Sequence, residues 1–334
     1  MPRRYAFRYV KCEILDTSPK YKVRFSNFKV TAISAVSPEV AASVASLNTR
    51  HQDLMDIDRV SRLTVRSCMQ TVFEDGPRRD RRLWMGDLRL QALGNYCTFK
   101  DFNSGKQCLY MFAALPREGR GKLTSLCFER PNLAAASDYI VHYDALFGAT
   151  VYDYTLASGE HETAKELWST ILGSMKVALS HVDEKSRFSS DKTAAWKFLD
   201  WSEGLDTNAG MHELELFCCK QINALATILH YPKPHADVAK EMTDAVHYFY
   251  DEEQELFVSG SNRQVSWTSQ AWMALSASMP PSSALLAMKK AMSHPGAVKP
   301  LTPYAYHHVA EALARNDGKE ECLVLLRQYW KVWH

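Results

Sequence analysis

The sequence predicts a mainly α-helical protein, in which a toroid of antiparallel helices follows a small β segment. β-branched and aromatic residues alternate only between residues 8 and 36. Apolar residues then recur at helical spacing to the end of the chain, and no strand–helix–strand alternation interrupts them. Helices joined by short loops pack antiparallel to their neighbours, so this pattern favours a closed ring of helices.

The β segment consists of two short bursts, YVKCEIL and YKVRFSNFKVTAISAV, separated by the turn-like DTSPKY. These bursts predict a strand pair, which is too small to be stable alone. We therefore expect residues 1–36 to be a short β remnant that packs on a helical domain formed by residues 37–334.

The helical domain begins at Ser37, where SPEVAASVASL places Ser and Pro at a plausible helix N-terminus and LTVRSCMQTVF follows. No linker rich in Pro, Gly or Ser divides the helices, and no sequence period marks a repeat. Further helices are predicted at residues 83–97, 105–115, 133–156, 161–181, 209–229, 235–249, 266–278, 281–293, 303–316 and 318–332.

Composition and charge exclude several classes of function. The 40 Lys and Arg residues nearly balance the 38 Asp and Glu residues, and a net charge of +2 gives no global attraction for nucleic acid or an anionic membrane. The N-terminus lacks an apolar leader segment, and no run of about 20 apolar residues follows. The eight cysteines lack metal-binding spacing and read as reduced core thiols. We expect a cytoplasmic protein without membrane insertion.

The densest cluster of charged residues is EDGPRRDRRLWMGD at residues 74–87, a Gly-Pro turn before a helix. A solvated charge run would explain its composition. Arginine, however, binds phosphate through two parallel hydrogen bonds, and a helix N-terminus adds positive potential. Carboxylates are ligands that Mg²⁺ prefers. This segment therefore offers both halves of a diphosphate site, with Arg78, Arg79 and Trp84 for the substrate and Asp75, Asp80 and Asp87 for the metal.

A second acidic and aromatic cluster is FLDWSEGLD at residues 198–206. Asp206 suits a helix N-cap, and Asp200 or Glu203 could be hydrogen-bonded loop acids. A metal role for Asp200 and Glu203, and a substrate role for Trp201, are the alternatives. The DEEQE stretch at residues 251–255 resembles an aspartate-rich metal motif, but its position between a helix and an extended piece favours a solvent-facing turn.

Near the C-terminus, Leu285 and Lys289 are four residues apart on a predicted helix and share one of its faces. A lysine on the apolar side of a helix must meet an anion or extend to water, and spacing alone favours water. The aromatic residues Trp267, Tyr304 and Tyr306 suit core packing or the mouth of a barrel. No Ser-His-Asp order, phosphate loop or HExxH motif is present.

Five segments together resemble the catalytic domain of family 78 glycoside hydrolases, the α-L-rhamnosidases. The segments keep the motif order over nearly the whole chain, and the resemblance implies an (α/α)6 barrel of six helical hairpins. They are DGPRRDRRLWMGDLRLQAL, DYIVHYDALFGATVYDYTLASG, FLDWSEGLDTNAGM, YDEEQELFVSG and TPYAYHHVAEAL.

The sequence departs from the rhamnosidase pattern where that family places its acid. The family acid is the Glu of D-x-P-x-R-D-E, and Arg81 stands at that position here. Arginine cannot donate a proton at neutral pH. The family base lies in a TxWE segment beyond the last helices, whereas this chain ends in RQYWKVWH. The resemblance therefore predicts the fold but leaves the acid and the base unassigned.

The chain also resembles the humulene synthases of fungal tropolone-sesquiterpenoid pathways, cyclases that lack the usual aspartate-rich signatures and look like a trimmed rhamnosidase barrel. The chain length and the LLAMKKAM segment carry this resemblance. It implies Mg²⁺-dependent ionisation of farnesyl diphosphate, a lysine that contacts the diphosphate and an apolar residue that sets alkene geometry. Those two roles fall on Lys289 and Leu285.

The predicted reaction is conversion of farnesyl diphosphate to all-E humulene by ionisation, 1,11-ring closure and loss of a proton. Charge on the leaving diphosphate would be stabilised by Mg²⁺ and basic side chains, and aromatic rings would stabilise the cation. Two alternatives remain open. One is a divergent glycosidase that uses Asp75, Asp87 or Asp200 as its acid and base, and the other is a barrel that binds a small molecule without catalysis.

Overall fold

The computed structural model describes residues 5–115, 122–130 and 132–331, and within them the chain forms a toroid of two concentric layers of helices. Five inner helices contact one another in sequence order, and each is joined to outer helices on either side. The inner helices are α3 (Met85–Cys97), α5 (Val141–Ser158), α8 (Asn208–Ile228), α10 (Trp267–Ser276) and α12 (Pro303–Arg315). The outer helices are α2 (Gln52–Cys68), α4 (Phe102–Ala114), α7 (Trp168–Leu179), α9 (Ala236–Asp244), α11 (Pro281–Ser293) and α13 (Lys319–Trp330).

Two short α-helices, two 3-10 helices at residues 190–192 and 245–249, and two small antiparallel sheets complete the described part of the fold. The short α-helices are α1 (Pro38–Ser43) and α6 (Glu162–Glu166). The first sheet pairs β1 (Leu83–Trp84) with β2 (Leu126–Phe128), and β2 with β3 (Ala134–Ala135). The second is the hairpin of β4 (Tyr250–Asp251) and β5 (Leu256–Phe257), and residues 252–255 form its turn. No helix in the described part of the chain is long and apolar enough to cross a bilayer.

The predicted strand pair at residues 8–36 is not found, because residues 5–36 form no strand. Most of their apolar side chains are exposed, among them Tyr9, Leu15 and Phe28, and only Val36 at the end of the segment reaches the core. A strand pair gains stability when one of its faces is covered, and nothing covers these side chains. Strand pairing occurs instead inside the helical domain. β3 lies where the helix at 133–156 is predicted to begin, so α5 begins only at Val141.

The inner helices are buried on nearly all sides because small residues let them approach closely. A Cβ atom on Gly148 of α5 would lie 2.7 Å from the side chain of Ile222 on α8. Between two inner helices, Arg89 of α3 donates to Asp153 of α5 at 2.8 Å, and both groups are largely buried. The Arg89 guanidinium also lies 5.2 Å from the centroid of the Phe217 ring on α8. One charged pair thus ties three inner helices together.

The chain segments that enter the inner helices meet at one end of the toroid, which we call the rim. The Met85 amide at the start of α3 donates to the Ser125 carbonyl at 3.0 Å. The Val141 amide at the start of α5 donates to the Trp196 carbonyl at 3.1 Å. The rim therefore gathers the N-termini of the inner helices, together with the loops that carry the charged and aromatic motifs of the sequence.

Candidate functional site

The rim loop before α3 is tight, and its charged side chains bind one another. Asp75 and Arg82 pair as an antiparallel bridge that closes the loop. Gly76 has a φ of 59°, and a Cβ atom there would lie 2.6 Å from Asp80 Oδ1. Arg79 forms an ion pair with Asp75 at 2.6 Å and a longer one with Asp80 at 3.7 Å. The loop thus holds two of the predicted metal-binding carboxylates against an arginine.

The predicted substrate-binding residues of this loop differ in exposure. Arg78 is exposed, as is Arg79, whose side chain is 71% accessible. Trp84 is half-buried, and its indole Nε1 donates to Asp80 Oδ2 at 3.1 Å. The two arginines lie on the surface of the rim, whereas Trp84 holds the loop to α3.

Asp87 lies in the first turn of α3, and the pKa of its carboxyl group is raised strongly above the usual value. Burial raises its pKa from 3.8 to about 7, and the neighbouring charge of Asp75 adds to this rise. A backbone hydrogen bond at Asp87 and the charge of Arg79 oppose the shift without cancelling it. Burial also raises the pKa of Asp75, against the opposing effect of Arg79. Because two nearby carboxyls do not ionise equally, the more buried Asp87 retains its proton closer to neutral pH.

Two buried tyrosines lie beside Asp87. The Tyr143 ring packs on α3 at Gly86, where a Cβ atom would lie 2.6 Å from the ring. Burial and the charge of Asp87 raise the pKa of both Tyr143 and Tyr304, so both hydroxyls stay protonated. The Tyr304 hydroxyl has no hydrogen-bond partner.

Ring contacts extend from this point into the toroid. His142 stacks on Phe198 at 6.5 Å, and Phe198 lies 5.8 Å from Tyr304. Tyr304 contacts His308 at 4.7 Å, and His308 contacts Trp272 at 4.5 Å. These five residues come from the first turns and interiors of three inner helices and the loop before α8, so they form a continuous aromatic wall next to Asp87.

Several polar atoms of this wall are buried without partners. Both ring nitrogens of His142 are unpaired, and burial lowers the pKa of His142 to about 3, so its ring is neutral. The indole Nε1 of Trp272 is also unpaired, as is that of Trp267 at the start of α10. Buried polar groups normally find a partner, and exceptions such as these mark a place for a ligand or water.

The second acidic cluster has a different role from the predicted metal site. Asp200 Oδ1 accepts hydrogen bonds from the amide and hydroxyl of Thr302, and its Oδ2 accepts from the Leu301 amide and the Ser202 hydroxyl. The carboxylate thereby fixes the segment that enters α12. Glu203 is exposed on the same loop. These hydrogen bonds occupy the acceptor positions of Asp200 and favour the alternative of a hydrogen-bonded loop acid, whereas its metal role stays a prediction.

The remaining predicted aromatic residues lie at two places on the rim. Trp201 is 58% exposed and contacts Phe198 at 5.1 Å, which places it at the outer edge of the aromatic wall. Trp267 is buried and lies 6.5 Å from Tyr306, whose ring stacks on Tyr329 at 3.6 Å. Trp201 and Tyr304 are thus joined through Phe198, whereas Tyr306 belongs to a contact with α13.

Leu285 and Lys289 lie on outer helix α11, and no described contact joins them to the loop at residues 75–87. Lys289 Nζ pairs with Glu321 of α13 at 2.5 Å, and its side chain is 52% exposed. Leu285 packs beside Gly318, where an added Cβ atom would lie 2.6 Å from Leu285 Cδ1. The shared face predicted from their spacing exists. Because α11 is an outer helix, that face is directed at α13 and not at the aromatic wall.

The described residues do not assemble the predicted magnesium site. Among them, no three His, Cys, Asp or Glu side chains are grouped so that they could hold a metal ion. Asp75 and Asp80 are paired with Arg79, and Asp200 is bound by backbone amides. The five carboxylates predicted as ligands are thus divided between separate roles.

Sequence reasoning missed His142 and Tyr143, which the structure places beside Asp87 and Phe198. Their segment, VHYDALFGATV, is apolar on every side and gives no amphipathic stripe. The signal that points to them is a histidine and a tyrosine at the very start of a helix that is otherwise buried. That position puts both side chains at the rim.

Comparisons with known proteins agree with this architecture. The family model described as the bacterial alpha-L-rhamnosidase 6 hairpin glycosidase domain matches residues 42–286. The model of the glycosyl hydrolase family 78 alpha-rhamnosidase N-terminal domain matches residues 1–32. No curated protein matches the chain.

Three solved structures illustrate the similarity. The rhamnosidase from Klebsiella oxytoca with rhamnose bound is 31% identical, with a TM-score of 0.80 over 88% of this chain and 57% of that one. The family 78 rhamnosidase of Bacillus sp. GL1 is 21% identical, with a TM-score of 0.72 over 86% of this chain and 30% of that one. The α-L-rhamnosidase from Dictyoglumus thermophilum is 15% identical, with a TM-score of 0.64 over 85% of this chain and 33% of that one.

This chain spans 57% of the Klebsiella oxytoca protein and about a third of the other two. The likeness to the Bacillus and Dictyoglumus proteins supports the fold alone. The family model, in contrast, covers most of the chain, and the identity to the Klebsiella protein extends over nearly all of it. The chain belongs to the family of α-L-rhamnosidase six-hairpin glycosidase domains.

Proposed function

We propose that this domain binds a sugar at the rim and hydrolyses its glycosidic bond, with an α-L-rhamnoside as the first substrate to test. The observation that carries the proposal is the set of unpaired polar atoms in the wall beside Asp87. Tyr304, Trp272 and His142 offer buried hydrogen-bonding groups, and the wall that carries them adjoins a carboxyl group that is protonated near neutral pH.

These unpaired groups favour a sugar over a hydrocarbon. A buried donor or acceptor without a partner costs about 1–3 kcal/mol. The hydroxyl groups of a sugar can satisfy several such groups at once, and aromatic rings cover its apolar faces. An isoprenoid chain has no atoms that can hydrogen-bond, so it would leave the same groups unsatisfied.

Asp87 and Asp75 suit the two carboxyl roles of a glycosidase. Glycoside hydrolysis uses one protonated carboxyl as acid and one carboxylate as base or nucleophile. The raised pKa of Asp87 suits the acid. Asp75, held against Arg79, suits the carboxylate. In this assignment Asp87 supplies the proton that Arg81 cannot supply from the position of the usual rhamnosidase acid.

The test is hydrolysis of p-nitrophenyl α-L-rhamnoside by the purified chain, measured as release of p-nitrophenol. We expect turnover without added metal ion, and a smaller loss of rate in Asp87→Asn on this substrate than on an alkyl α-L-rhamnoside, whose leaving group needs protonation. Absence of turnover from a folded protein, together with no detectable binding of L-rhamnose by calorimetry, would remove the proposal.

Magnesium-assisted cyclisation of farnesyl diphosphate is the second candidate. The exposed arginines Arg78 and Arg79 favour it, because they lie beside Asp75 on the rim and guanidinium groups bind diphosphate well. The family match and the unpaired polar wall support the glycosidase better. Incubation with farnesyl diphosphate and Mg²⁺, followed by gas chromatography of volatiles, separates the two, since only a cyclase releases a hydrocarbon.

A further inference from the structure

The charge of the chain is unevenly distributed, although its total is close to balance. Residues 5–36 carry six Lys and Arg side chains against two acids, Glu13 and Asp16, which leaves a net charge of +4. Residues 37–334 carry 32 Lys and Arg against 36 Asp and Glu, a net charge of −4. The segment before the toroid is therefore a cationic element attached to an acidic domain. We call residues 5–36 the basic arm.

The cations of the basic arm are almost all without a carboxylate partner. Lys11 forms an ion pair with Glu13 at 3.3 Å, and both side chains are largely exposed. Within the described part of the chain the other five cations form no ion pair. They are Arg8, Lys20, Lys22, Arg24 and Lys29. Because the protein does not neutralise these charges itself, they are available to an anionic partner.

The backbone of the basic arm is anchored at one end. The Ala35 amide donates to the Met69 carbonyl at 2.8 Å, and the Ser34 hydroxyl donates to the Arg66 carbonyl at 2.7 Å. Between residues 5 and 33, by contrast, the described chain forms a single bond between backbone groups, from the Tyr21 amide to the Ser18 carbonyl at 3.1 Å. The arm is thus fixed at the end of α2, and the rest of its length is open to a partner.

The basic arm exposes apolar side chains between its cations. Tyr21, Val23 and Phe25 alternate with Lys22 and Arg24. Alternate side chains of an extended chain point to opposite sides, so this stretch has one apolar side and one cationic side. Tyr21 is 74% exposed, and Val23 and Phe25 are more than half exposed.

A turn at Asn27 continues the apolar side. Asn27 has a φ of 58°, and the ring centroids of Phe25 and Phe28 lie 6.0 Å apart across it. Phe28 is 68% exposed. Two neighbouring exposed rings therefore lie within a few residues of Lys22, Arg24 and Lys29.

We propose that the basic arm binds the surface of an anionic lipid bilayer. Clusters of about 4–8 Lys and Arg are attracted to anionic headgroups. Aromatic rings settle at the boundary between headgroups and acyl chains, and apolar burial there adds to the electrostatic attraction. The stems of Lys and Arg can lie on the apolar boundary while their charges stay in water. The alternation in the arm supplies both contacts at once, without a segment that crosses the bilayer.

Single-stranded nucleic acid and a second copy of the chain fit the basic arm less well. A single strand is also anionic, and its bases stack on aromatic rings. The arm, however, exposes aliphatic side chains as well, and these gain more from an acyl boundary than from stacked bases. They are Val10, Ile14, Leu15, Val23, Val30 and Ile33. Pairing the arms of two copies would bring together two segments that each carry a charge of +4.

The test is sedimentation of the full chain with lipid vesicles. One set contains phosphatidylcholine alone, and the other contains about 30% phosphatidylserine. We expect at least tenfold tighter binding to the anionic vesicles, and loss of most of this difference when salt rises from about 0.1 M to about 0.5 M.

A charge variant and an aromatic variant of the basic arm separate the two contributions. The charge variant combines Lys22→Gln, Arg24→Gln and Lys29→Gln, and it should bind anionic vesicles at least tenfold more weakly because half of the cations are removed. The aromatic variant combines Phe25→Ser and Phe28→Ser. It keeps the charge and should also bind more weakly, because less apolar surface enters the interface.

The matched control combines Lys176→Gln, Lys233→Gln and Lys240→Gln, three exposed lysines of the helical domain. It changes the net charge by the same amount as the charge variant and should keep the wild-type affinity within twofold. Urea midpoints of all three variants should equal that of the wild type, since the changed side chains of the arm pack on no core residue. Any loss of binding is then a property of the arm.

Four results would overturn the proposal. One is equal binding to neutral and anionic vesicles, and another is equal affinity of the charge variant and the control. The third is binding of single-stranded oligothymidine without binding of vesicles, which would assign the arm to nucleic acid. The fourth is a dimer in light scattering that the aromatic variant dissociates, without vesicle binding, which would assign the arm to a second copy.

Discussion

Two rim segments carry the same kinds of residue, acids beside tryptophan, and use them in opposite ways. In the segment at residues 75–87, Asp87 is removed from solvent close to the charges of Asp75 and Asp80, so its pKa rises to about 7. In the segment at residues 198–206, Asp200 is surrounded by donors and accepts from the Leu301 and Thr302 amides. Asp87 therefore keeps its proton to near neutral pH, whereas Asp200 holds the segment that enters α12 in place.

The role of a buried acid therefore depends on the hydrogen-bond donors around its carboxyl group. Backbone amides aimed at a carboxylate stabilise its charged form and occupy its oxygens. Burial beside a second acid does the reverse and creates a group that can give up a proton. Substitutions at these two acids test this dependence.

The largest expected effect is a loss of hydrolysis rate in Asp87→Asn. If Asp87 is the acid, the variant hydrolyses an alkyl rhamnoside about 10²–10⁴-fold more slowly, because the leaving group is no longer protonated. A p-nitrophenyl rhamnoside should lose less, since its leaving group needs little protonation. In the wild type the rate should fall above pH 7 as Asp87 loses its proton, and a pH–rate profile measures this. An unchanged alkyl rhamnoside rate would show that the acid lies elsewhere.

The next largest effect is a loss of stability in Asp200→Ala. The substitution removes the acceptor of four hydrogen bonds, two of them from backbone amides, and we expect a loss of about 2–4 kcal/mol in the free energy of unfolding. Urea unfolding measures it. Glu203→Ala, an exposed acid in the same loop, is the control and should leave the urea midpoint unchanged. Equal midpoints for both variants would contradict the structural role of Asp200.

A smaller effect is the pH dependence of stability that Asp87 causes. Its pKa is higher in the folded than in the unfolded chain, so ionisation of Asp87 destabilises the fold as pH rises from about 4 to about 7. Asp87→Asn should therefore match the wild type near pH 4 and exceed it by on the order of 4 kcal/mol at pH 8. Urea midpoints of both proteins across this range test the sign, and a difference that shrinks as pH rises would contradict it.

The smallest effect is expected from Lys289→Ala. Its ion pair with Glu321 is exposed on the outer layer, and such pairs contribute little. The urea midpoint, sugar binding and rhamnoside hydrolysis should all be unchanged. Loss of rhamnoside hydrolysis with an unchanged midpoint would connect α11 to the rim and contradict this expectation, whereas loss of hydrocarbon formation from farnesyl diphosphate would favour the cyclase.

The sequence identified much of this molecule correctly. Helical periodicity predicted the toroid, and the helices at 281–293 and 303–316 were located to within a residue. The loop at residues 74–87 was identified from its mixture of charges. The predicted strand pair failed because strands form only where a partner and a covered face exist, and alternation in the sequence does not show whether either is present.

The ring of helices follows from the sequence, because apolar spacing depends only on residues close along the chain. The sequence also shows acids and arginines beside tryptophan in the loop before α3, and acids beside tryptophan in the loop before α8. Only the tertiary structure decided which of those acids keeps a proton, since Asp87 and Asp200 differ in the groups that approach them from other segments. It also turned Lys289 toward Glu321, because the layer that a helix occupies depends on packing between distant parts of the chain.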